Sequence, residues 1–368
     1  KALPPGNLVR LLRVDGKPIG IGTFNPHSLI AFRVLDREHQ GPVDWTPEAL
    51  SRLVEDRLRR AATWRDRLIG APHYRLVHGE ADGLPGLIVD RYGDVFTVQS
   101  GTAGMDGLLP LVLDVLESRF SARAVVIRND QAARRLEGLE EMAGLARGQL
   151  DGPVALQENG LTFLADPLSG QKTGWFFDQR DNHAFAARLV PAGGRVLDAY
   201  CYGGGFGLTA LGLGDAGTVR FIDQSQTALD LVGASAEALG QAGKITLQRG
   251  DAFKCLEDLG ADQEAFDLVV CDPPAFAKAK KDVGPALKAY RKLARMAAKL
   301  VKPGGNLVLA SCSHHVGPAE FLREAAIGFN RAGRSAQLIK MAGAAPDHPV
   351  LPDLPESAYL KCLFFRLD

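Results

Sequence analysis

Arg195-Val196-Leu197-Asp198-Ala199-Tyr200-Cys201-Tyr202-Gly203-Gly204-Gly205-Phe206-Gly207 joins a strand to a glycine-rich turn. A short apolar run ends in an acid and breaks into consecutive glycines, which let a backbone approach a ligand and take conformations closed to other residues. Gly205-x-Gly207-x-x-Ala210 matches the dinucleotide fingerprint, and Asp223 follows at roughly the 20-residue spacing of a ribose-binding acid. Alone, the pattern indicates an adenosine-containing cofactor and leaves NAD and S-adenosylmethionine both open. Strands are expected at 195–197, 218–222, 244–248, 267–270 and 306–310, with helical stretches between them. That alternation gives a doubly wound, mainly parallel α/β sheet whose ligand site lies at the carboxyl ends of its strands. Strands at 336–340 and 359–365 are joined by a proline-rich loop too poor in helix signal for a crossover, so an antiparallel end to the sheet is expected.

Upstream, β-rich runs at 8–14, 19–23 and 29–34 alternate with the turn sequences Asp15-Gly16-Lys17-Pro18 and Asn25-Pro26-His27-Ser28. Thr46-Pro47-Glu48 sets an N-cap with proline at the first helical position and opens an arginine-rich helix to Leu68. Its arginines fit a solvated face and an RNA-facing one equally well. Residues 74–150 read as an α+β insert, with strands at 74–77, 87–89, 95–99 and 124–127 and a helix over 107–118. A hairpin follows, 154–157 and 161–165, turned at Asn159-Gly160. The expected domains are 1–44, 45–165 and 166–368.

With 368 residues the chain is too long for one ordinary core, and 46% hydrophobic with 23% charged residues excludes disorder and a fibre. No apolar run approaches the roughly 18–20 residues that span a bilayer, and no basic, hydrophobic leader is present, so a cytoplasmic protein is expected. Lys1 in place of methionine predicts a processed or truncated product. Five widely spaced cysteines without a Cys-x-x-Cys pair argue against a disulfide framework and a metal site. Lys plus Arg equals Asp plus Glu at 43 each, yet residues 1–77 carry 13 basic against 8 acidic side chains. Residues 278–302 carry 9 basic side chains against Asp282 alone. A neutral protein with two basic surfaces is able to bind nucleic acid.

The other strand ends narrow the chemistry. Asp251 precedes Ala252-Phe253, an acid beside an apolar wall that suits an adenine amino group. Cys271-Asp272-Pro273-Pro274 ends the fourth strand; prolines give up backbone donors and leave a carboxylate and carbonyls as acceptors, which suits the amino edge of a flipped base. Ala310-Ser311-Cys312-Ser313-His314-His315 ends the fifth. A thiolate there would add to carbon 6 of cytosine and turn carbon 5 into a nucleophile, with His314 or His315 as a candidate partner or base. Lys278, Lys280, Lys281, Lys288, Arg291, Lys292 and Arg295 follow the Asp-Pro-Pro and are expected to hold RNA phosphates.

Four segments carry a resemblance. They are Gly79-Glu80-Ala81-Asp82-Gly83-Leu84-Pro85-Gly86-Leu87-Ile88-Val89-Asp90-Arg91-Tyr92-Gly93, Lys172-Thr173-Gly174-Trp175-Phe176-Phe177-Asp178-Gln179-Arg180-Asp181, the Asp-Pro-Pro and Ser311-Cys312-Ser313. Over essentially its whole length the chain resembles the ribosomal RNA large-subunit methyltransferase I family, S-adenosylmethionine-dependent enzymes that form 5-methylcytosine in 23S rRNA. The resemblance implies a Rossmann-like class I methyltransferase domain with a mainly parallel sheet and an antiparallel C-terminal strand. A central α+β domain and a truncated N-terminal PUA-like β domain would precede it. It implies cofactor contacts near Gln179, Arg180, Asp198, Asp223, Asp251 and Asp272, with Cys312 as nucleophile. Flanking Tyr200, Gly203, Gly205, Gln224 and Ala252 complete the expected cofactor site, and Cys312 with Asp272 form the expected catalytic pair. Gly203 departs from the family's aromatic-Ser-Tyr-Thr-Gly-Gly turn, a change expected to leave cofactor binding intact. Expected partners are 23S ribosomal RNA and a second copy of the chain, and no membrane. The competing readings are a guanine methyltransferase of the same architecture, which needs no Cys312, and a ribosome-assembly protein with a vestigial site, which the intact acids oppose. An NAD oxidoreductase has no use for the Asp-Pro-Pro.

Overall fold

Glycine and proline turns cut the chain into short elements that assemble as three sheets and a hairpin. In the computed structural model, which describes residues 3–37 and 46–368, the first sheet is antiparallel and takes β1 (Asn7–Leu12), β2 (Pro18–Phe24) and β3 (Phe32–Asp36) in order. β3 begins later than the expected 29–34. The Asn25 side chain stabilises a longer turn, accepting from the His27 N–H at 3.0 Å, while the Asn25 N–H donates to the Ala31 carbonyl at 2.8 Å. Leu29 and Ile30 are left exposed on that loop.

α1 (Pro47–Ile69) starts as expected, with Thr46 accepting from the Ala49 N–H at 3.2 Å. Its arginines do not share one fate. Arg65 is buried in a two-pronged pair with Asp82 at 3.0 and 2.8 Å, and Arg57 donates to the Gly83 and Leu35 carbonyls. Arg52, Arg59, Arg60 and Arg67 are exposed. β4 (His73–His78), β5 (Leu87–Tyr92), β6 (Val95–Ser100), α2 (Ala103–Phe120), β7 (Ala124–Asn129) and β8 (Met142–Gly148) follow. The five strands pair in chain order, β6 with β7 in parallel and the others antiparallel. α2 starts ahead of the expected 107 because Thr102 caps it through the Met105 N–H. Tyr74, Val89, Phe96, Val112 and Leu116 lie in the apolar cluster of this region.

The hairpin of β9 (Val154–Glu158) and β10 (Leu161–Ala165) turns at Asn159 (φ 53°) and Gly160 (φ 79°), both left-handed as such a turn requires. Then come α3 (Arg180–Ala187), β11 (Arg195–Ala199), α4 (Gly205–Leu213), β12 (Thr218–Asp223), α5 (Gln226–Ala238), β13 (Ile245–Arg249) and α6 (Ala252–Ala261). β14 (Phe266–Cys271), α7 (Val283–Leu300), β15 (Val301–Ser311), α8 (Pro318–Arg331), β16 (Ala336–Ala342) and β17 (Lys361–Leu367) complete the chain. The sheet order is β13-β12-β11-β14-β15-β17-β16, and β17 runs antiparallel to both its neighbours. This is the Rossmann-like, mainly parallel sheet with an antiparallel C-terminal strand. Its order reverses between β11 and β14, and a crevice forms at such a switch point.

The chain divides into two units. One comprises Lys1–Leu156, Ala165–Trp175 and Asp347–Leu351; the other comprises Gln157–Leu164, Phe176–Pro346 and Pro352–Asp368. The expected boundary between 44 and 45 falls outside the described residues. Among those residues no helix is long and apolar enough to cross a membrane.

Candidate active site

β11 carries Asp198 to the switch point as a buried carboxylate. One oxygen accepts from the Gly207 N–H of α4 at 2.8 Å, and Oδ1 has no hydrogen-bond partner. Burial outweighs the bond to Gly207 and pushes this carboxyl up to about 7. The loop beyond it is strained: Tyr200 (φ 61°) and Tyr202 (φ 47°) take left-handed conformations beside Gly204 (φ 80°). Such strain persists only where the surroundings enforce it, as ligand sites do. Asp223, at the end of β12, supplies that enforcement by accepting from the Tyr202 N–H at 3.0 Å and the Ser225 N–H at 2.9 Å. Asp251 caps α6 through the Lys254 N–H and accepts from Gln224 Nε2, both at 3.0 Å. Ala252 is buried behind it, and Phe253 stacks on Phe276 at 6.1 Å. Gly203 is buried within the loop.

Asp272 leaves β14 beside the same edge. Its Oδ2 accepts from Gln179 Nε2 at 2.8 Å, and Gln179 accepts in turn from Asn182 Nδ2 at 2.6 Å. Arg180 is buried with its guanidinium 5.5 Å from the Phe177 ring centre. Cys312 follows β15 and is half-buried, whereas Cys201, Cys255, Cys271 and Cys362 are buried. Burial raises all four of those thiols. Hydroxyls brace the cysteine segment. Ser311 Oγ donates to the Tyr290 hydroxyl at 2.8 Å, that hydroxyl meets Ser313 Oγ at 2.9 Å, and Ser313 Oγ accepts from the Ala277 N–H at 3.2 Å. His314 is exposed, its ring 5.4 Å from that of Tyr359, whose hydroxyl donates to Asp178. His315 is exposed as well. All these residues lie in the second unit.

Sequence reasoning missed Tyr290 and the buried His183–Glu158 pair, 2.6 Å apart with His183 packed edge-on to Phe206. The signal for His183 was Gly205 itself, because a Cβ there would stand 2.3 Å from the ring. Gly205→Ala should therefore destabilise the fold by about 1–3 kcal/mol and weaken cofactor binding, read by thermal melting and titration calorimetry. An unchanged melting temperature would show that the ring gives way. Lys278, Lys280 and Lys281 are exposed after the Asp-Pro-Pro. Arg291, by contrast, is held at 2.6 Å by the buried Glu324 of α8, and Lys292 lies over the Phe253 ring at 5.0 Å. Arg291 is thus engaged by a carboxylate, whereas Lys292 remains exposed, as do Lys288 and Arg295.

A family model for S-adenosylmethionine-dependent methyltransferases matches residues 143–366, and one for PUA-like domains matches residues 1–37. A ribosomal RNA large subunit methyltransferase I from Shewanella amazonensis is 36% identical, over 98% of this chain and 91% of its own. One of the same name from Aeromonas hydrophila is 37% identical, over 98% and 90%. Among solved structures, a chain described as a methyltransferase complexed with SAH matches with a TM-score of 0.82 at 18% identity, covering 99% of this chain and 92% of that one. A SAM-dependent methyltransferase from Agrobacterium tumefaciens gives 0.52 at 17%, covering 77% and 87%. At those identities the two structures show the fold alone. The sequence similarity goes further: the chain belongs to the ribosomal RNA large subunit methyltransferase I family of S-adenosylmethionine-dependent enzymes.

Proposed function

We propose that the protein methylates carbon 5 of a cytosine in 23S ribosomal RNA, in the cytoplasm, through a thiolate adduct of Cys312. The supporting observation is exposure: of five cysteines, Cys312 alone is not buried, and it leaves β15 next to the strand that ends in Asp272-Pro273-Pro274. The other residues fit the cofactor. The buried Asp198 keeps an oxygen without a partner. Asp223 and Asp251 retain lone pairs for hydroxyl and amino donors, with Phe253 as an apolar neighbour. Gln179, Arg180, Tyr200, Gly203, Gly205, Gln224 and Ala252 frame these groups.

S-adenosylmethionine supplies, when bound, a methyl group on a sulfonium centre. Cys312 makes the acceptor: addition of its thiolate to carbon 6 pushes electron density to carbon 5, a poor nucleophile otherwise. Asp272, held by Gln179, accepts from the amino edge of the base, and the prolines after it present no competing N–H. Loss of the carbon-5 proton then lets the thiolate leave. RNA carrying 5-fluorocytosine should trap the wild-type protein as a covalent adduct, because fluorine cannot leave as a proton does. Absence of an adduct, with methyl found on guanine by mass spectrometry, would replace this reading with the guanine one.

The three exposed lysines give a further expectation. Changing Lys278, Lys280 and Lys281 together to Ala should weaken RNA binding evenly across sequences. It should also flatten the slope of log affinity against log salt by about 0.7 for each single-strand phosphate that is no longer neutralised. An unchanged slope would move the RNA surface to the exposed arginines of α1.

A further inference from the structure

We infer that Lys361 is the positioning residue that keeps Cys312 ionised, its ammonium serving as the fixed counter-charge of the thiolate. This rests on Cys312 being the nucleophile. Lys361 opens β17 and stands opposite Ser311 in the β15 register. From there its side chain spans the cysteine, for Nζ donates to the Ser313 carbonyl at 2.6 Å and to the Tyr359 carbonyl at 2.9 Å. The residue is only 7% exposed. Two neutral carbonyls are a poor setting for a buried ammonium, which is unfavourable without an opposite charge, and a lysine has a third N–H to give. No carboxylate pairs with it among the described residues.

The missing anion is the neighbouring sulfur. Burial pushes the Lys361 ammonium down to about 8, and negative charge on Cys312 pushes it back up. Such coupling is mutual, so the ammonium lowers the thiol in turn. The other groups around this segment do not supply a buried cation. They are the Tyr290 hydroxyl from α7, Asp272 after β14, Tyr359 with its bond to Asp178, the buried Cys362 thiol, and the exposed His314. Asp272 and Asp178 carry the wrong sign of charge to stabilise a thiolate. A lysine kept merely to bridge two loop carbonyls would leave the cysteine's titration untouched.

The test is the pH dependence of iodoacetamide labelling of the full chain without RNA, in which four cysteines are shielded and Cys312→Ser gives the blank. Lys361→Met should raise the labelling midpoint by about one pH unit or more and slow methyl transfer at neutral pH, with recovery at higher pH. Lys361→Arg should restore the low midpoint. Lys361→Gln, which can still donate to carbonyls, should behave like Lys361→Met and serves if the latter fails to fold. An unchanged midpoint in either folded neutral variant overturns the assignment. That failure is separable from failure of the mechanism, which would show as full methyl transfer by Cys312→Ala whatever the labelling does.

Discussion

Cys312→Ala should lower methyl transfer by about 10⁴-fold or more while leaving S-adenosylmethionine affinity unchanged. Removing the nucleophile of a covalent mechanism costs on that order, and nothing else at the strand ends can replace a thiolate. The proposed cofactor groups lie at the ends of β11, β12 and β14 and at the starts of α3, α4 and α6, so the truncation leaves them in place. Cys271→Ala is the matched control. Cys271 is fully buried in the sheet core, and its loss should cost about 1 kcal/mol of stability with turnover preserved. Methyl incorporation into ribosomal RNA and calorimetric titration of the cofactor read both variants. Full turnover by Cys312→Ala would exclude the adduct and bring the guanine chemistry forward.

Asp198→Asn should make the cofactor-free protein lose less stability as pH rises. The folded carboxyl titrates at about 7 against an ordinary 3.8, so the native state holds a proton that the unfolded chain has already released. The stabilising contribution is complete below about pH 4 and is lost as pH climbs toward 7, to a limit of about 4 kcal/mol at 1.36 kcal/mol per unit. Asparagine carries no such proton and can keep an oxygen toward Gly207. Urea unfolding at low and high pH should therefore show a difference of about 2–4 kcal/mol between the two proteins in their pH response. Equal losses in both would mean that Asp198 ionises freely in the fold. Weaker cofactor binding by the same variant would identify the buried acid as stability given up for function.

The parallel sheet was legible because its strands read as short apolar runs, and those of β11, β12 and β14 stop at Asp198, Asp223 and Asp272. Local chemistry also announced the Asn159-Gly160 turn and the Thr46 cap. Where apolar residues lie in a loop, as Leu29 and Ile30 do, the same signal misplaced a strand. β8 escaped altogether, since Gly144 and Gly148 remove the alternation that marks a strand. At the site, the strand-end acids and Cys312 declared themselves by position. Lys361, Tyr290 and His183 are single side chains that topology brings in from elsewhere. Lys361 meets the cysteine segment only because β17 inserts between β15 and β16. Arg291 shows the converse, a cation in a basic run that a partner on another helix claims.

The short stretch Asp347–Leu351 belongs to the first unit although it follows the rest of that unit in sequence by more than 170 residues. The Asp347 carboxylate accepts from the Arg75 N–H at 3.0 Å, and its carbonyl accepts from the buried Arg65 guanidinium across 282 positions of sequence. A ribosome translating this message therefore cannot hand over a finished N-terminal half. Arg65 finds Asp82 early, but its last acceptor, the Asp347 carbonyl, is made only 282 residues after it. Fragments that end at Trp175 should consequently be less stable than the intact protein, and native structure in this half should be acquired late during vectorial synthesis.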